Sequence, residues 1–168
     1  MFNFTPAEND NKLIVPDVED ARSGYAPYYR SGKNVNTVKQ EVSAEMAKLD
    51  RAVFKFVEGV FEVNGQKRHG FEIYFMYAGR QGVIRVAGLP MRSESKAKIE
   101  TVKVQALLNV RDWLKAEVTA QIFAPGHDPL LGHMLLPDGK TTVSEYIRQQ
   151  NDLPLLESGG NGIVIEKE

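Results

Sequence analysis

The chain has 168 residues, a formal net charge of −1 and no cysteine. A chain of this length can bury a core without covalent cross-links, and the missing cysteines exclude disulfides, thiolate metal sites and a cysteine nucleophile. Because the net charge is close to zero, attraction to nucleic acid would have to come from a local basic patch.

Residues 1–35 are predicted to form an extended N-terminal arm. Their first part is polar and acidic, and proline and glycine recur too often for a long helix. An aromatic and basic cluster follows, and its members are Tyr25, Tyr28, Tyr29, Arg30 and Lys33. These side chains either pack on the domain or become ordered on a partner.

The first regular element is predicted to be an amphipathic helix over about residues 37–50. Asn36 or Thr37 can cap its start, and charged residues such as Glu45 are expected to face outward. The apolar residues that recur at helical spacing are Val38, Val42, Met46 and Leu49.

From Ala52 the apolar period changes from helical to twofold, which predicts three antiparallel strands in a meander. Asn64-Gly65 is a strong signal for a two-residue hairpin turn. Residues 78–82 are predicted to form the second turn and residues 83–87 the third strand. Gly59 is the expected position of a bulge in the first strand.

Residues 93–123 contain neither proline nor glycine and predict a long helix, with Ser93 or Ser95 as its cap. It is apolar over so much of its surface that we expect it to cover the sheet as a core helix. The predicted core consists of Phe54, Phe56, Phe61, Phe71, Ile73, Phe75, Val102, Ala106, Val110 and Trp113.

Thr142 and Glu145 form a capping-box pattern that opens a short helix through about Gln150. The sequence therefore predicts an α+β fold: a three-stranded antiparallel meander packed on one long core helix, with a preceding amphipathic helix and a short C-terminal helix. Residues 36–157 are expected to form this single domain, and residues 158–168 a flexible tail.

Candidate metal ligands are weak in this sequence. His127, Asp128 and His133 supply suitable ligand types for zinc, but Pro129 and Gly132 interrupt their spacing. We therefore predict neither a metal site nor a cofactor. An enzyme that uses these three residues is the least favoured functional hypothesis.

Basic residues give the stronger functional signal. They recur in the two hairpins and at the start of the long helix, where free backbone N–H groups also favour an anion. The alternative is that they are merely scattered over a solvated surface. The predicted nucleic-acid contacts are Lys67, Arg68, His69, Arg80, Arg92, Lys96 and Lys98.

The order helix, strand, strand, strand, helix over about residues 36–115 resembles the double-stranded-RNA-binding domain. Gly65 and His69 fall between the first two strands, Phe71 starts the second strand, and Ser95-Lys96-Ala97-Lys98 opens the last helix. In that family the helix start contacts phosphates and the loop histidine region reaches a minor groove. The resemblance implies these roles for the two lysines and for His69.

Two main hypotheses follow. The first is a non-enzymatic module that binds nucleic acid through hairpin loops and the start of the long helix. The second is a protein-interaction or assembly subunit, for example an adaptor or inhibitor of a mobile genetic element, that binds its partner through residues 25–30 and 163–165. The N-terminal sequence lacks the features of a secretory signal, and no apolar run is long enough for a membrane span. We therefore expect a cytoplasmic protein without a membrane partner.

Overall fold

The computed structural model describes residues 15–21 and 31–150. It confirms the predicted α+β class. In sequence, one helix precedes an antiparallel three-stranded sheet and a long second helix follows it. The elements are α1 (Val35–Lys48), β1 (Ala52–Val63), β2 (Gln66–Tyr77), β3 (Arg80–Ala87), α2 (Lys96–Phe123) and α3 (Val143–Gln149), with a short 3-10 helix at Leu131–His133.

Two-residue turns connect the strands, which lie in the order β1-β2-β3. Asn64 and Gly65 have φ values of 52° and 77°, and Ala78 and Gly79 have 48° and 74°. Positive φ at both positions is the requirement of a type I′ hairpin turn. The second turn is shorter than predicted, because residues 80–82 already belong to β3.

The register of β1 against β2 shifts between Val53 and Lys55, so Phe54 is the additional residue of a bulge. A bulge interrupts the alternation of side chains between the two faces. Phe54 is consequently 51% exposed, with its ring 6.2 Å from that of Tyr74, and its predicted place in the core is wrong. The bulge predicted at Gly59 is also wrong, since that residue pairs in register with β2.

One face of the sheet packs against α1 and α2 and forms the core. Phe71, Ile73 and Phe75 of β2 are fully buried there, as the alternation of the strand predicts. The helices contribute Val38, Val42, Met46, Leu107, Leu108 and Leu114 to the same cluster.

Other core predictions are confirmed for Val102, Ala106 and Val110, which are all buried in α2. Phe56 and Trp113 lie at the margin of the core and are only partly buried. Phe61 is also half-buried. The indole Nε1 of Trp113 donates a hydrogen bond to Glu117 Oε1 at 3.1 Å. The polar edge of this ring is thereby satisfied at the domain surface, which explains its incomplete burial.

The helix starts follow from side-chain caps. Asn34 Oδ1 accepts a hydrogen bond from the Thr37 backbone N–H at 2.8 Å, so α1 begins two residues before its predicted start. Ser95 caps α2, as one of the two predicted alternatives. The capping box of Thr142 and Glu145 at α3 is confirmed, with both reciprocal hydrogen bonds present.

After α2 the chain returns to the free edge of β3. Leu130 is fully buried, and the Leu135 backbone N–H donates to the Gln81 carbonyl oxygen at 2.9 Å. This return segment brings α3 beside the sheet, where the Glu145 carboxylate accepts from Arg85 at 2.6 Å. Within residues 15–21 and 31–150, no helix has the length and apolar character needed to cross a membrane.

Candidate nucleic-acid interface

Three chain segments meet where β2 begins, β3 ends and α2 starts. The Gly88 backbone N–H donates to the His69 carbonyl oxygen at 2.8 Å. His69 Nε2 lies 3.1 Å from Glu94 Oε1, which connects β2 with the residues before α2. The hairpin and the helix start therefore lie on one side of the domain. The six basic residues of this region, here called the basic end, are Lys67, Arg68, His69, Arg92, Lys96 and Lys98.

The basic residues of β2 differ in how free they are to bind a ligand. Lys67 is exposed and lies opposite Glu62 in the register. Arg68 donates through Nε to the Gly88 carbonyl oxygen at 2.7 Å and through Nη2 to that of Ala87 at 3.3 Å. Burial lowers the pKa of Arg68, but a guanidinium remains charged in proteins. Arg68 thus stabilises the end of β3, and only its remaining N–H donors are available to a ligand.

The start of α2 carries two lysines with different surroundings. Lys96 is exposed and forms no ion pair with another described residue. Lys98 turns back toward the preceding loop, where its Nζ donates to Ser93 Oγ at 3.0 Å and to the Ser93 carbonyl oxygen at 3.2 Å. Its ammonium group therefore lies beside the loop that leads into the helix.

Two carboxylates from the N-terminal part of the chain bind this same loop. Glu19 Oε1 accepts from Lys98 Nζ at 2.9 Å and from the Ser93 backbone N–H at 3.4 Å. Its Oε2 accepts from the Arg92 backbone N–H at 3.3 Å. Asp20 forms a two-pronged ion pair with the Arg92 guanidinium. The Lys98 ammonium group, followed by backbone N–H groups, lowers the pKa of Glu19 to about 2.

Residues 17–20, here called the acidic segment, are held in place by few other contacts. The Val18 backbone N–H donates to the Pro90 carbonyl oxygen at 2.9 Å, and Ala21 is buried. The sequence does not predict this docking, because the composition of an arm does not say where it lies. The available signal is three acids within four residues on a chain that also has a basic helix start.

Arg80 does not join the basic end. It is the first residue of β3, not a turn residue, and it pairs with Tyr77 in the register. The far end of β3, which lies beside His69, is roughly 25 Å away at the usual rise per strand residue. Arg80 instead borders a cavity of about 750 Å³ that is lined mainly by apolar side chains such as Leu131 and Met134.

The three weak metal-ligand candidates have separate partners. His127 Nε2 lies 3.0 Å from Glu117 Oε2, and both carboxylate oxygens of Asp128 accept from Arg51 Nη2, at 2.7 and 2.8 Å. The His133 ring lies 5.6 Å from that of Trp113, and burial lowers the pKa of His133. Among the described residues, no group of three or more His, Asp or Glu side chains is placed to hold a metal ion.

The predicted partner-binding residues Tyr25, Tyr28, Tyr29 and Arg30 lie outside the described residues, as do residues 163–165. Comparison of the chain with protein-family models, with curated proteins and with solved structures gives no match. The resemblance to the double-stranded-RNA-binding domain therefore stays a prediction.

Proposed function

We propose that this protein is a non-enzymatic module that binds the phosphate backbone of duplex nucleic acid through the basic end. The observation that carries the proposal is the position of the Glu19 carboxylate. It accepts hydrogen bonds from two backbone N–H groups and from the Lys98 ammonium group. Phosphate oxygens accept hydrogen bonds from the same two kinds of donor, backbone N–H groups and ammonium groups. The loop before α2 thus has the chemistry of a phosphate contact.

The other basic residues extend this contact to neighbouring phosphates. Lys67 and Lys96 are exposed, and neither forms an ion pair with another described residue. Each ammonium group can therefore bind a phosphate of a nucleic-acid backbone, which releases the counterion condensed there. Arg68 serves mainly to position the end of β3, because two of its donors bind backbone carbonyl oxygens.

The experiment replaces the two exposed lysines, Lys67→Glu together with Lys96→Glu, in the full chain. Affinity for RNA and DNA duplexes of about 20 base pairs is measured between about 50 and 200 mM salt. We expect affinity at least tenfold weaker than that of the unmodified chain. The magnitude of the slope of log affinity against log salt should decrease by about two, because each lost phosphate contact reduces it by about one.

A matched control reverses two exposed charges outside the basic end, Arg80→Glu at the start of β3 together with Lys140→Glu in the loop before α3. It makes the same change in net charge, so a comparable loss of affinity would indicate a general charge effect and not a site. If neither the unmodified chain nor a variant without the Glu19 and Asp20 carboxylates binds either duplex in a salt-sensitive manner, the proposed function is wrong.

The open edge of β1 supports a second candidate function, binding of another protein. Among the described residues, no strand pairs with the outer edge of β1, which is 12 residues long. It carries two large apolar side chains that are more than half exposed, Phe54 and Val60. An extended segment of a partner protein can add to such an edge as a further strand.

A test of this second function uses Phe54→Lys, with Phe123→Lys as a control at another exposed phenylalanine. We expect an identified partner to bind in about 1 M salt, where charge attraction is screened within about 3 Å. The Phe54 variant should lose this binding and the Phe123 variant should retain it. Equal binding by both variants would contradict a role of the β1 edge.

A further inference from the structure

The acidic segment binds the donors that the proposed function requires for phosphate. Arg92 receives the Asp20 carboxylate on its guanidinium and the Glu19 carboxylate on its backbone N–H, and Lys98 receives Glu19 on its ammonium group. Asp17 adds a third negative charge that acts on Arg92. Two of the six basic residues are therefore neutralised within the chain.

The two kinds of anion cannot occupy these donors together. A phosphate oxygen within hydrogen-bond distance of the Ser93 N–H and Lys98 Nζ would take the position of Glu19 Oε1, which lies 3.4 and 2.9 Å from them. Negative charges in such proximity also repel each other. Binding of phosphate at this loop therefore requires the acidic segment to leave it.

The contacts that hold the acidic segment are of a kind that a ligand can displace. The side chains of Arg92 and Asp20 are both 57% exposed, and exposed ion pairs contribute little. The Lys98–Glu19 pair is more enclosed, with side chains 34% and 16% exposed, and is the stronger of the two contacts. Among the described residues, only one hydrogen bond between backbone groups joins the segment to the loop, from the Val18 N–H to the Pro90 carbonyl oxygen. A polyanion that also binds Lys67 and Lys96 gains contacts that the segment itself does not use.

We propose that the acidic segment is an intramolecular competitor that limits binding of nucleic acid to the basic end. This inference rests on the proposed function. The docked segment reduces the fraction of molecules that can bind, so the apparent affinity falls by the same factor. Any change that releases the segment raises affinity without adding a contact to the ligand.

The first test removes the two docking charges, Glu19→Gln together with Asp20→Asn. The probe is an RNA duplex of about 20 base pairs at about 50 mM salt. We expect at least threefold tighter binding than that of the unmodified chain. The control Asp112→Asn with Glu117→Gln removes two carboxylates from α2, well beyond the helix start, and should change affinity less than twofold.

A second variant keeps every charge and releases the acidic segment by removing its backbone hydrogen bond to the loop. Val18 is the second residue of a turn in which the Asp20 N–H donates to the Asp17 carbonyl oxygen, a position that accepts proline. Val18→Pro removes the N–H that binds Pro90, whereas Val18→Ala retains it. We expect Val18→Pro to tighten binding of the same duplex at least twofold and Val18→Ala to leave it unchanged.

The outcomes separate this inference from the function on which it rests. Salt-sensitive binding by the unmodified chain, with no gain in either release variant relative to its control, overturns the inference and leaves the function intact. Tighter binding by both release variants supports both. Absence of salt-sensitive binding by the unmodified chain and by the release variants overturns both.

Discussion

Two facing glycines in the first hairpin differ sharply in the space around them. Gly59 and Gly70 pair in the register of β1 and β2. A Cβ atom at Gly70 would overlap the Val86 carbonyl oxygen, whereas one at Gly59 would meet nothing within 4 Å. The close approach of β3 thus requires the absence of a side chain at Gly70 only.

We therefore expect Gly70→Ala to lower the free energy of unfolding by about 1–3 kcal/mol, as overpacking of a rigid site does. Gly59→Ala should leave it unchanged or raise it by up to about 1 kcal/mol, because alanine restricts the unfolded chain. Urea denaturation of both variants checks this pair. Equal effects would mean that β3 can shift to make room.

Single-residue burial was only partly predictable from the sequence. The prediction that Glu45 faces outward is wrong: the residue is buried, with its carboxylate 3.0 Å from Lys48 Nζ. The sequence also does not reveal that the Arg51 guanidinium lies 3.7 Å from the centre of the Tyr77 ring while binding Asp128. The partners of Arg51 are distant in sequence, and the burial of Glu45 depends on how α1 packs in the fold. A local pattern carries no information about either.

The two hairpin turns share one geometry but differ in sequence. Asn64-Gly65 has the residues that type I′ turns prefer, whereas the second turn places Ala78 at a φ of 48°. A left-handed conformation costs alanine about 1–2 kcal/mol, and asparagine adopts it more readily.

Ala78→Asn is expected to raise the free energy of unfolding by about 1 kcal/mol, and Asn64→Ala to lower it by a similar amount. The measurement is the denaturation midpoint at an unchanged dependence on denaturant. A destabilising effect of Ala78→Asn would show that the alanine methyl group makes a contact worth more than the strain.

Elements were predictable where local chemistry is unambiguous. The two-residue turn at Asn64-Gly65 and the capping box at Thr142 are decided by neighbouring residues alone. The start of α1 was misplaced because Asn34 suits a cap as well as the predicted Asn36 and Thr37 do, and only the observed hydrogen bond selects Asn34. The bulge at Phe54 has no sequence signature, since it adjusts one strand to another.

The docking of the acidic segment belongs to the molecule as a whole and should depend on pH. The pKa of Glu19 is lowered from 4.5 to about 2 in the folded protein. A carboxylate with a lowered pKa stabilises the fold above its unfolded pKa, and this contribution is lost as pH falls through the folded value. The stabilisation is therefore complete above about pH 4.5 and declines toward pH 2.

We expect the unmodified chain to have a higher thermal midpoint than Glu19→Gln at pH 6. The difference should shrink steadily as the pH falls from about 4.5 to 2. Glu62→Gln, which removes an exposed carboxylate in the first hairpin, is the control. A difference that is independent of pH would mean that the Glu19 carboxylate makes no charged contact in solution.

The position of the acidic segment also shows why the candidate site was incompletely predictable at this scale. The position of Lys96 and Lys98 at a helix start was predictable, because a capping serine precedes a long run without proline or glycine. The topology then brings Lys67 to the same side and carries Arg80 to the opposite end of the sheet. Glu19 was not predictable as their neighbour, because no regular element constrains where residues 17–20 lie.

The order of the elements has a consequence for how the chain folds. Within the part of the chain that the structure describes, each strand pairs only with a strand next to it in sequence, through a two-residue turn. The helices α1 and α2, in contrast, are separated in sequence by the entire sheet. Short loops close at low entropic cost, and isolated hairpins form within microseconds. We expect a transition state in which β1 and β2 are paired before the two helices meet. Refolding rates should then fall more for Ile73→Val than for Val42→Ala, relative to the stability that each variant loses.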